Sequence, residues 1–185
     1  RLNDGAVQQE FQGHALQWVP FRPASLPIYE SAYGSYNQFY DIFNISEQWT
    51  PQALNRELTT HFNQYFTFTG CPDILRVGQT CRLETAIGVD APVRVEAISP
   101  DGFTLKSLEG HPEGADRFIN FRFVPTTVLG ITTIRLNVQA WGPVSNGSAF
   151  GPLNTETVAR YSWSRLAGNL RKRTSTASAT YITAD

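Results

Sequence analysis

Between residues 80 and 141, apolar and polar side chains alternate in five short runs. In one of them, Ile119, Phe121 and Phe123 are separated by polar residues. A period of two is typical of a strand with one buried and one wet face. Short links join the runs, and one of them contains the turn signal Asp101-Gly102. The pattern predicts an antiparallel meander with strands at Thr80–Gly88, Pro92–Ser99, Phe103–Leu108, Arg117–Val124 and Ile131–Trp141.

Upstream of this meander, apolar residues follow a helical spacing instead. Aromatic rings recur in steps of four and three at Tyr29, Tyr33, Tyr36, Tyr40 and Phe43. A second stripe follows Thr50-Pro51, a favourable helix start because Thr can cap the helix and Pro needs no N–H partner there. We therefore predict helices at 28–43 and 51–66, after an edge strand at 14–21. The aromatic rings either form the core-facing stripe of the first helix or bring tyrosine hydroxyls into a cavity.

The last periodic segment predicts a long C-terminal helix. Asn154 precedes it as a cap, and its apolar stripe consists of Ala159, Trp163, Leu166 and Leu170. Because a sheet with one apolar face needs a cover, we expect this helix to lie against the meander. The predicted fold class is α+β, a curved antiparallel sheet packed on a long C-terminal helix (helix-grip-like), with an N-terminal helical pair. Another α+β layering without a cavity is the alternative.

The length of the chain, 185 residues, fits one domain with a sizeable core. We expect a flexible arm at 1–13, a single α+β domain at 14–173 and a mobile tail at 174–185. The chain opens at Arg1 and contains no Met, so we expect a processed or excised piece whose signal peptide, if any, lies upstream.

A helix-grip arrangement would enclose a cavity between sheet and helix, and this gives the first hypothesis about function. The cavity would bind an apolar or amphipathic small molecule. We expect the ligand-binding residues to be Tyr33, Tyr36, Tyr40, Phe121, Phe123, Leu136, Val138 and Trp163.

Composition and charge exclude several classes of protein. Lys and Arg total 15 against 16 Asp and Glu, a net charge of −1, which argues against a nucleic-acid partner. The chain is 41% hydrophobic and 12% aromatic, too apolar for a disordered chain. No apolar run approaches the roughly 18 residues of a transmembrane segment. No glycine-rich phosphate-binding motif occurs, so we expect no cofactor.

The two cysteines, Cys71 and Cys81, allow two readings: a disulfide that closes a small loop, or two buried free thiols. With three histidines and no CxxC pair, we expect no metal site. The predicted location is extracellular or in the cell envelope, with the cytoplasm as the alternative.

One segment carries a resemblance, which rests on Arg94-Val95, on the run GFTLKSLEGHP at Gly102–Pro112 and on Phe118. Together with neighbouring residues between about 77 and 143, they resemble a family of uncharacterised bacterial and plant proteins. The signature of that family reads GF.YGTLPGHP and then GEE.F. Ala115 and Asp116 stand where the family has its acidic pair. The resemblance implies a fold and carries over no activity.

The run from Gly110 to Arg117 is the best candidate for chemistry. It places His111, Glu113 and Asp116 in one turn between strands, and a histidine beside a carboxylate can move protons. The alternative is structural, since Gly, Pro and Asp are turn residues and His can hold a loop in place. These residues give a second hypothesis, a secreted enzyme or toxin domain. A third is a structural domain that binds a protein partner through an aromatic surface.

Overall fold

An antiparallel sheet and a long C-terminal helix make up most of the fold. The computed structural model describes residues 7–11, 14–18, 33–42, 49–66, 68, 70–84, 90–143 and 155–180. The elements are β1 (Val7–Phe11), β2 (His14–Trp18), β3 (Tyr33–Ile42), α1 (Pro51–Thr60), α2 (Phe62–Tyr65), β4 (Thr80–Glu84), β5 (Asp90–Ser99), β6 (Gly102–Ser107), β7 (Phe118–Val128), β8 (Ile131–Pro143) and α3 (Thr155–Thr180). The predicted Tyr29, Phe43 and Asn154 lie outside the described residues.

Six of the strands form one antiparallel sheet in the order β3-β8-β7-β6-β5-β4, and β1 pairs with β2 in a separate two-stranded sheet. The five strands of the predicted meander are confirmed as β4 to β8. A bulge between Val95 and Ala97 interrupts the register of β5 with β6. Bulges bend the strand that carries them, and the six-stranded sheet is curved.

The helix predicted over residues 28–43 is wrong, because this segment contains β3, which pairs with β8 along its whole length. Residues four apart share a face in a strand as well as in a helix, so Tyr36 and Tyr40 fit either pattern. Tyrosine and phenylalanine favour strands, and β8 supplies a hydrogen-bonding partner that the local sequence does not reveal. The second predicted helix is confirmed as α1 and α2.

The core lies between the inner face of the six-stranded sheet and the helices. Alternate residues of β7 and β8 are buried as predicted: Ile119, Phe121, Phe123, Ile134, Leu136, Val138 and Ala140. The predicted stripe of α3 is also buried: Ala159, Trp163, Leu166 and Leu170. The long C-terminal helix on the sheet is thereby confirmed.

The helix α1 begins as its sequence predicts. The side chain of Thr50 accepts a hydrogen bond from the backbone N–H of Ala53 at 3.1 Å, and Pro51 is the first helical residue. On the buried face of α1, Asn55 donates to the backbone oxygen of Ser99 at 2.8 Å. This bond fixes α1 to the turn between β5 and β6.

Several contacts fix the second half of α3. Arg173 donates to Glu57 Oε1 at 3.0 Å, and the hydroxyl of Tyr65 donates to the same oxygen at 2.5 Å. Asn169 donates to the backbone oxygen of Tyr65, and Arg171 to that of Asp41. These bonds join α3 to α1, α2 and β3.

Cys71 and Cys81 form a disulfide, so the first of the two cysteine readings is confirmed. Both residues are buried, and the bond joins the segment after α2 to β4. Export of the chain stays a prediction from the sequence.

The predicted domain division also stays a prediction. The strand β1 lies within the predicted arm, and α3 runs to Thr180, past the predicted end of the domain at residue 173. Within the described ranges, every helix falls short of the length or the apolar character that a membrane crossing needs.

Candidate functional site

A cavity of about 40 Å³ lies between the first half of α3 and the sheet. The strands β4 to β7 each contribute one apolar side chain, namely Leu83, Ala91, Leu105 and Ile119. Helix α3 contributes Ala159, Ser162 and Trp163, and Phe68 completes the apolar wall. The remaining wall is the loop between β6 and β7, through His111, Pro112 and Glu113.

The volume is small for a binding site. Pockets for small molecules typically measure about 300–1,000 Å³, whereas a single water needs only about 10–15 Å³ of this kind of volume. The cavity therefore has room for a few waters. A larger ligand requires its walls to move apart.

Of the seven predicted ligand-binding residues whose side chains the structure describes, only Trp163 lies on the cavity wall. The side chains of Phe121, Phe123, Leu136 and Val138 are fully buried in the core. The Phe121 ring packs edge-on against Trp163, with ring centroids 5.1 Å apart, so it supports the wall from behind.

The three predicted tyrosines lie along β3. The Tyr36 hydroxyl accepts a hydrogen bond from Trp163 Nε1 at 3.2 Å and thereby positions the indole. Burial, followed by the nearby carboxylate of Glu113, raises the pKa of Tyr36. The Tyr40 hydroxyl lies close to Gln38 Oε1 (2.7 Å) and to the backbone oxygen of Arg160 (3.2 Å). Tyr33 is part of β3, and its side chain lies outside the described residues.

The loop between β6 and β7 is fixed at its base by Ser107. Its buried hydroxyl donates to the backbone oxygen of Gly114 at 2.7 Å and accepts from the backbone N–H of Arg117 at 2.9 Å. Gly110 and Gly114 have φ angles of 87° and 101°, a backbone region that glycine adopts without steric cost. The sequence thus folds this loop over the end of the cavity.

Within the loop, Glu113 and Arg117 form a buried ion pair. Arg117 Nε donates to Glu113 Oε2 at 3.3 Å, and the two side chains are 3% and 9% exposed. Arg117 Nη1 also donates to the backbone oxygens of Gly142 and Pro143. Burial raises the pKa of Glu113, while Arg117 opposes this shift.

His111 is held by the main chain of its neighbour. Its Nδ1 accepts a hydrogen bond from the backbone N–H of Glu113 at 3.1 Å. Burial, and after it the positive charge of Arg117, lowers the pKa of His111 to about 4. The imidazole is therefore neutral near pH 7, which leaves it a donor at Nε2 and without charge.

The structure brings together two of the three residues predicted for catalysis. His111 and Glu113 both line the cavity, whereas Asp116 is absent from its lining. The Asp116 side chain is 69% exposed and pairs with Lys106 at 2.8 Å. Glu113 orients the histidine through its backbone N–H, while its carboxylate pairs with Arg117.

Sequence reasoning missed most of the apolar wall as a site. It named Ile119 among the alternating apolar residues of the meander and Ala159 on the stripe of α3, but alternation does not show where packing leaves a gap. Nothing in the sequence pattern singled out Phe68.

A second, more open groove of about 240 Å³ lies between β3 and α3, beside Asn37, Gln38, Phe39, Tyr40 and Arg160. Gln38 Nε2 is buried there without a hydrogen-bond partner. Among the described residues, no group of three or more His, Cys, Asp and Glu side chains is arranged to hold a metal ion.

Solved structures of low sequence identity share this fold. Ginseng major latex-like protein 151 from Panax ginseng superposes with a TM-score of 0.55 at 14% identity, over 76% of this chain and 97% of that chain. The KanY protein gives a TM-score of 0.54 at 11% identity, over 77% and 97%. The Aha1 dimer from Colwellia psychrerythraea gives 0.51 at 15% identity, over 75% and 93%.

The order of the strands, the C-terminal helix and these structural neighbours together define the class of the protein. It has the helix-grip fold. Identities this low show the fold alone. No protein-family model matches the chain, and no curated protein matches its sequence. The resemblance over residues 77–143 therefore stays a prediction.

Proposed function

We propose that this chain is a binding domain for an apolar or amphipathic small molecule held between α3 and the sheet. The observation that carries the proposal is the cavity beside Trp163, which has mainly apolar walls and, among the described residues, only three polar residues in its lining, His111, Glu113 and Ser162. Binding pockets combine apolar walls with a few placed polar groups in this way. The helix-grip fold supports the proposal, because it lays one long helix across a curved sheet and can enclose space between them.

Ligand binding requires the cavity to expand, and the contacts of α3 indicate where. Its second half is bonded to α1, α2 and β3 through Asn169, Arg171 and Arg173. Its first half is bonded to β3 through Trp163 and the backbone of Arg160, and these bonds would have to break as the cavity expands. The cavity lies against the first half, at residues 159–163, and under the loop that contains Gly110 and Gly114. We expect this loop and the first turns of α3 to move outward together.

A cavity-filling substitution tests the proposal. Ala159→Leu replaces a methyl group on the cavity wall with an isobutyl group and keeps a good helix former. The matched control is Ser164→Leu, at an exposed position of the same helix. The probe is N-phenyl-1-naphthylamine, an uncharged dye whose fluorescence rises in apolar sites.

Fluorescence titration of the wild type and the Ser164→Leu variant should give saturable dye binding. The Ala159→Leu variant should bind the dye at least about ten-fold more weakly, a loss of about 1.4 kcal/mol. Its thermal melting should show that it is folded. Equal dye binding by the folded Ala159→Leu variant would place the dye elsewhere and refute the proposal.

A protein-interaction role is the second candidate. The Phe39 side chain is 54% exposed on β3, the terminal strand of the six-stranded sheet, and Arg135 lies over its ring at 5.6 Å. One structural neighbour was solved as a dimer. Exposed aromatic residues are enriched at protein interfaces, which favours this candidate for the outer face.

Catalysis by His111 stays a prediction. The low pKa of His111 leaves little of the protonated form near neutral pH, so the ring has little capacity as a general acid there. The geometry favours a hydrogen-bonding role, since His111 is neutral and lies on the cavity wall.

A further inference from the structure

His111 joins two turns of the loop between β6 and β7. Its backbone N–H donates to the oxygen of Leu108 at 3.1 Å, and its backbone oxygen accepts from the N–H of Gly114 at 2.9 Å. The ring adds a third bond, in which Nδ1 accepts from the backbone N–H of Glu113 at 3.1 Å. His111 and Glu113 both line the cavity. The imidazole therefore helps to hold the loop in the conformation that covers this side of the cavity.

The base of this loop is fixed, whereas its tip contains two glycines. At the base, the backbone N–H of Ser107 donates to the backbone oxygen of Arg117 at 2.8 Å. Gly110 and Gly114 flank the residues that line the cavity, and both have a positive φ. Glycine gives the backbone more conformational freedom than any other residue. An outward movement can therefore be confined to the tip while the base stays in place.

Protonation of His111 would break the bond that its ring makes. A neutral imidazole accepts a hydrogen bond at one nitrogen, whereas an imidazolium donates at both. With a proton on Nδ1, the ring N–H would face the backbone N–H of Glu113, 3.1 Å away. Burial, and after it the positive charge of Arg117, already lowers the pKa of the ring to about 4. A protonated His111 therefore favours a displaced loop in which water surrounds the imidazole.

The other titratable groups around the ring do not supply this response. Among the described residues that line the cavity, Glu113 is the one other group that titrates in acid. Burial raises its pKa, so Glu113 takes up a proton more readily in the covered site than in water and opposes opening in acid. Tyr36, on β3, stays neutral in acid because burial raises its pKa. Lys106 and Asp116 pair with each other at 2.8 Å, and Glu109 is exposed.

We propose that the loop between β6 and β7 is a lid that opens in acid, when protonation of Nδ1 breaks the bond from His111 to Glu113. This inference rests on the proposed function and adds its regulation. A cavity of about 40 Å³ is too small for a typical ligand, so the ligand binds the open form. Acid therefore promotes ligand uptake, because it increases the fraction of molecules that are competent to bind.

The size of the effect follows from the two environments of the ring. In water an imidazole has a pKa near 6.5, and in the covered site the pKa of His111 is about 4. Between pH 7 and pH 5, the ratio of open to covered molecules should rise about twenty-fold through His111 alone. Glu113 opposes this rise, so we expect a net change of at least about five-fold.

The first experiment measures lid opening in the ligand-free protein. Hydrogen exchange of the Glu113 backbone N–H, followed by NMR and corrected for the intrinsic effect of pH, gives its protection factor. From pH 7 to pH 5 this factor should fall at least about five-fold in the wild type. It should not fall in His111→Asn, because the Asn Oδ1 can accept the same bond but does not titrate. The matched control His61→Asn, at a histidine that is 42% exposed, should behave as the wild type.

The second experiment links the lid to the binding site. N-phenyl-1-naphthylamine is uncharged at both pH values, so its own titration does not contribute. Its affinity for the wild type and for His61→Asn should increase at least about five-fold from pH 7 to pH 5. The affinity of His111→Asn should not increase. Thermal melting at both pH values shows that the proteins are folded, and if His111→Asn is not, the equally neutral His111→Gln takes its place.

The outcomes separate the lid from the binding site. Equal responses of the wild type and the folded His111 variant to pH would overturn the lid. A wild type that loses protection in acid at constant dye affinity would also overturn the inference, although the binding site would stand. If the dye does not bind the wild type, or binds Ala159→Leu equally well, the proposed function and this inference both fall.

Discussion

His111 illustrates how one buried side chain is set by its surroundings. The backbone of Glu113 fixes the ring through Nδ1, while burial and Arg117 hold its pKa near 4. The sequence pointed to this residue because a histidine in a Gly- and Pro-containing turn beside two carboxylates is a reasonable candidate for chemistry. It gave no sign of the lowered pKa, which depends on neighbours that only the folded chain brings close.

The lowered pKa makes stability depend on pH. An unfolded histidine titrates near 6.5, so between this pH and about 4 the unfolded chain binds a proton that the folded chain does not. The free energy of unfolding should therefore decrease as the pH falls below 6.5. At pH 4 it should be about 3 kcal/mol lower than above pH 6.5 through this group alone. Urea unfolding of the wild type and of His111→Gln at several pH values measures this loss.

The raised pKa of Glu113 acts in the opposite direction, because the folded chain then takes up a proton earlier than the unfolded chain as the pH falls. Glu113 is present in both proteins, so the difference between their curves isolates His111. Parallel curves for wild type and His111→Gln would contradict the assigned burial of the imidazole.

At the scale of elements, the strands of the meander, β4 to β8, were predictable and β3 was not. The alternation of apolar and polar residues in β7 indicates one buried and one solvent-exposed face. The residues that are buried in β7 agree with this prediction. In β3, Tyr36 and Tyr40 are four residues apart, a spacing that a helix and a strand share. The pairing of β3 with β8 connects residues about a hundred positions apart, which no local pattern contains.

The disulfide gives a prediction at this scale, since it fixes the segment after α2 to β4. The double variant Cys71→Ser, Cys81→Ser should lose about 2–3 kcal/mol of unfolding free energy, because the unfolded chain is no longer closed into a small loop. Urea unfolding measures the loss, and reduced wild type serves as the matched comparison. Reactive thiols in the untreated native protein, or an unchanged midpoint, would contradict the bridge.

For the whole molecule, the sequence predicted that α3 covers the sheet, because each had one apolar face and no other cover. It did not predict the size or position of the cavity. A gap of about 40 Å³ depends on how Leu83, Leu105, Ile119 and Ala159 fit against one another, and not on their apolar character. The polar residues of its lining were predictable in part, since His111 and Glu113 lie in one loop, whereas Asp116 points elsewhere.

The central claim is that a ligand enters between α3 and the sheet. Its most direct test is nuclear Overhauser spectroscopy of the methyl-labelled protein with N-phenyl-1-naphthylamine. The account predicts contacts from the dye to the methyl groups of Leu83, Leu105 and Ile119, which line the cavity. Contacts confined to Leu129 and Ile131, which are exposed at the turn between β7 and β8, would contradict it.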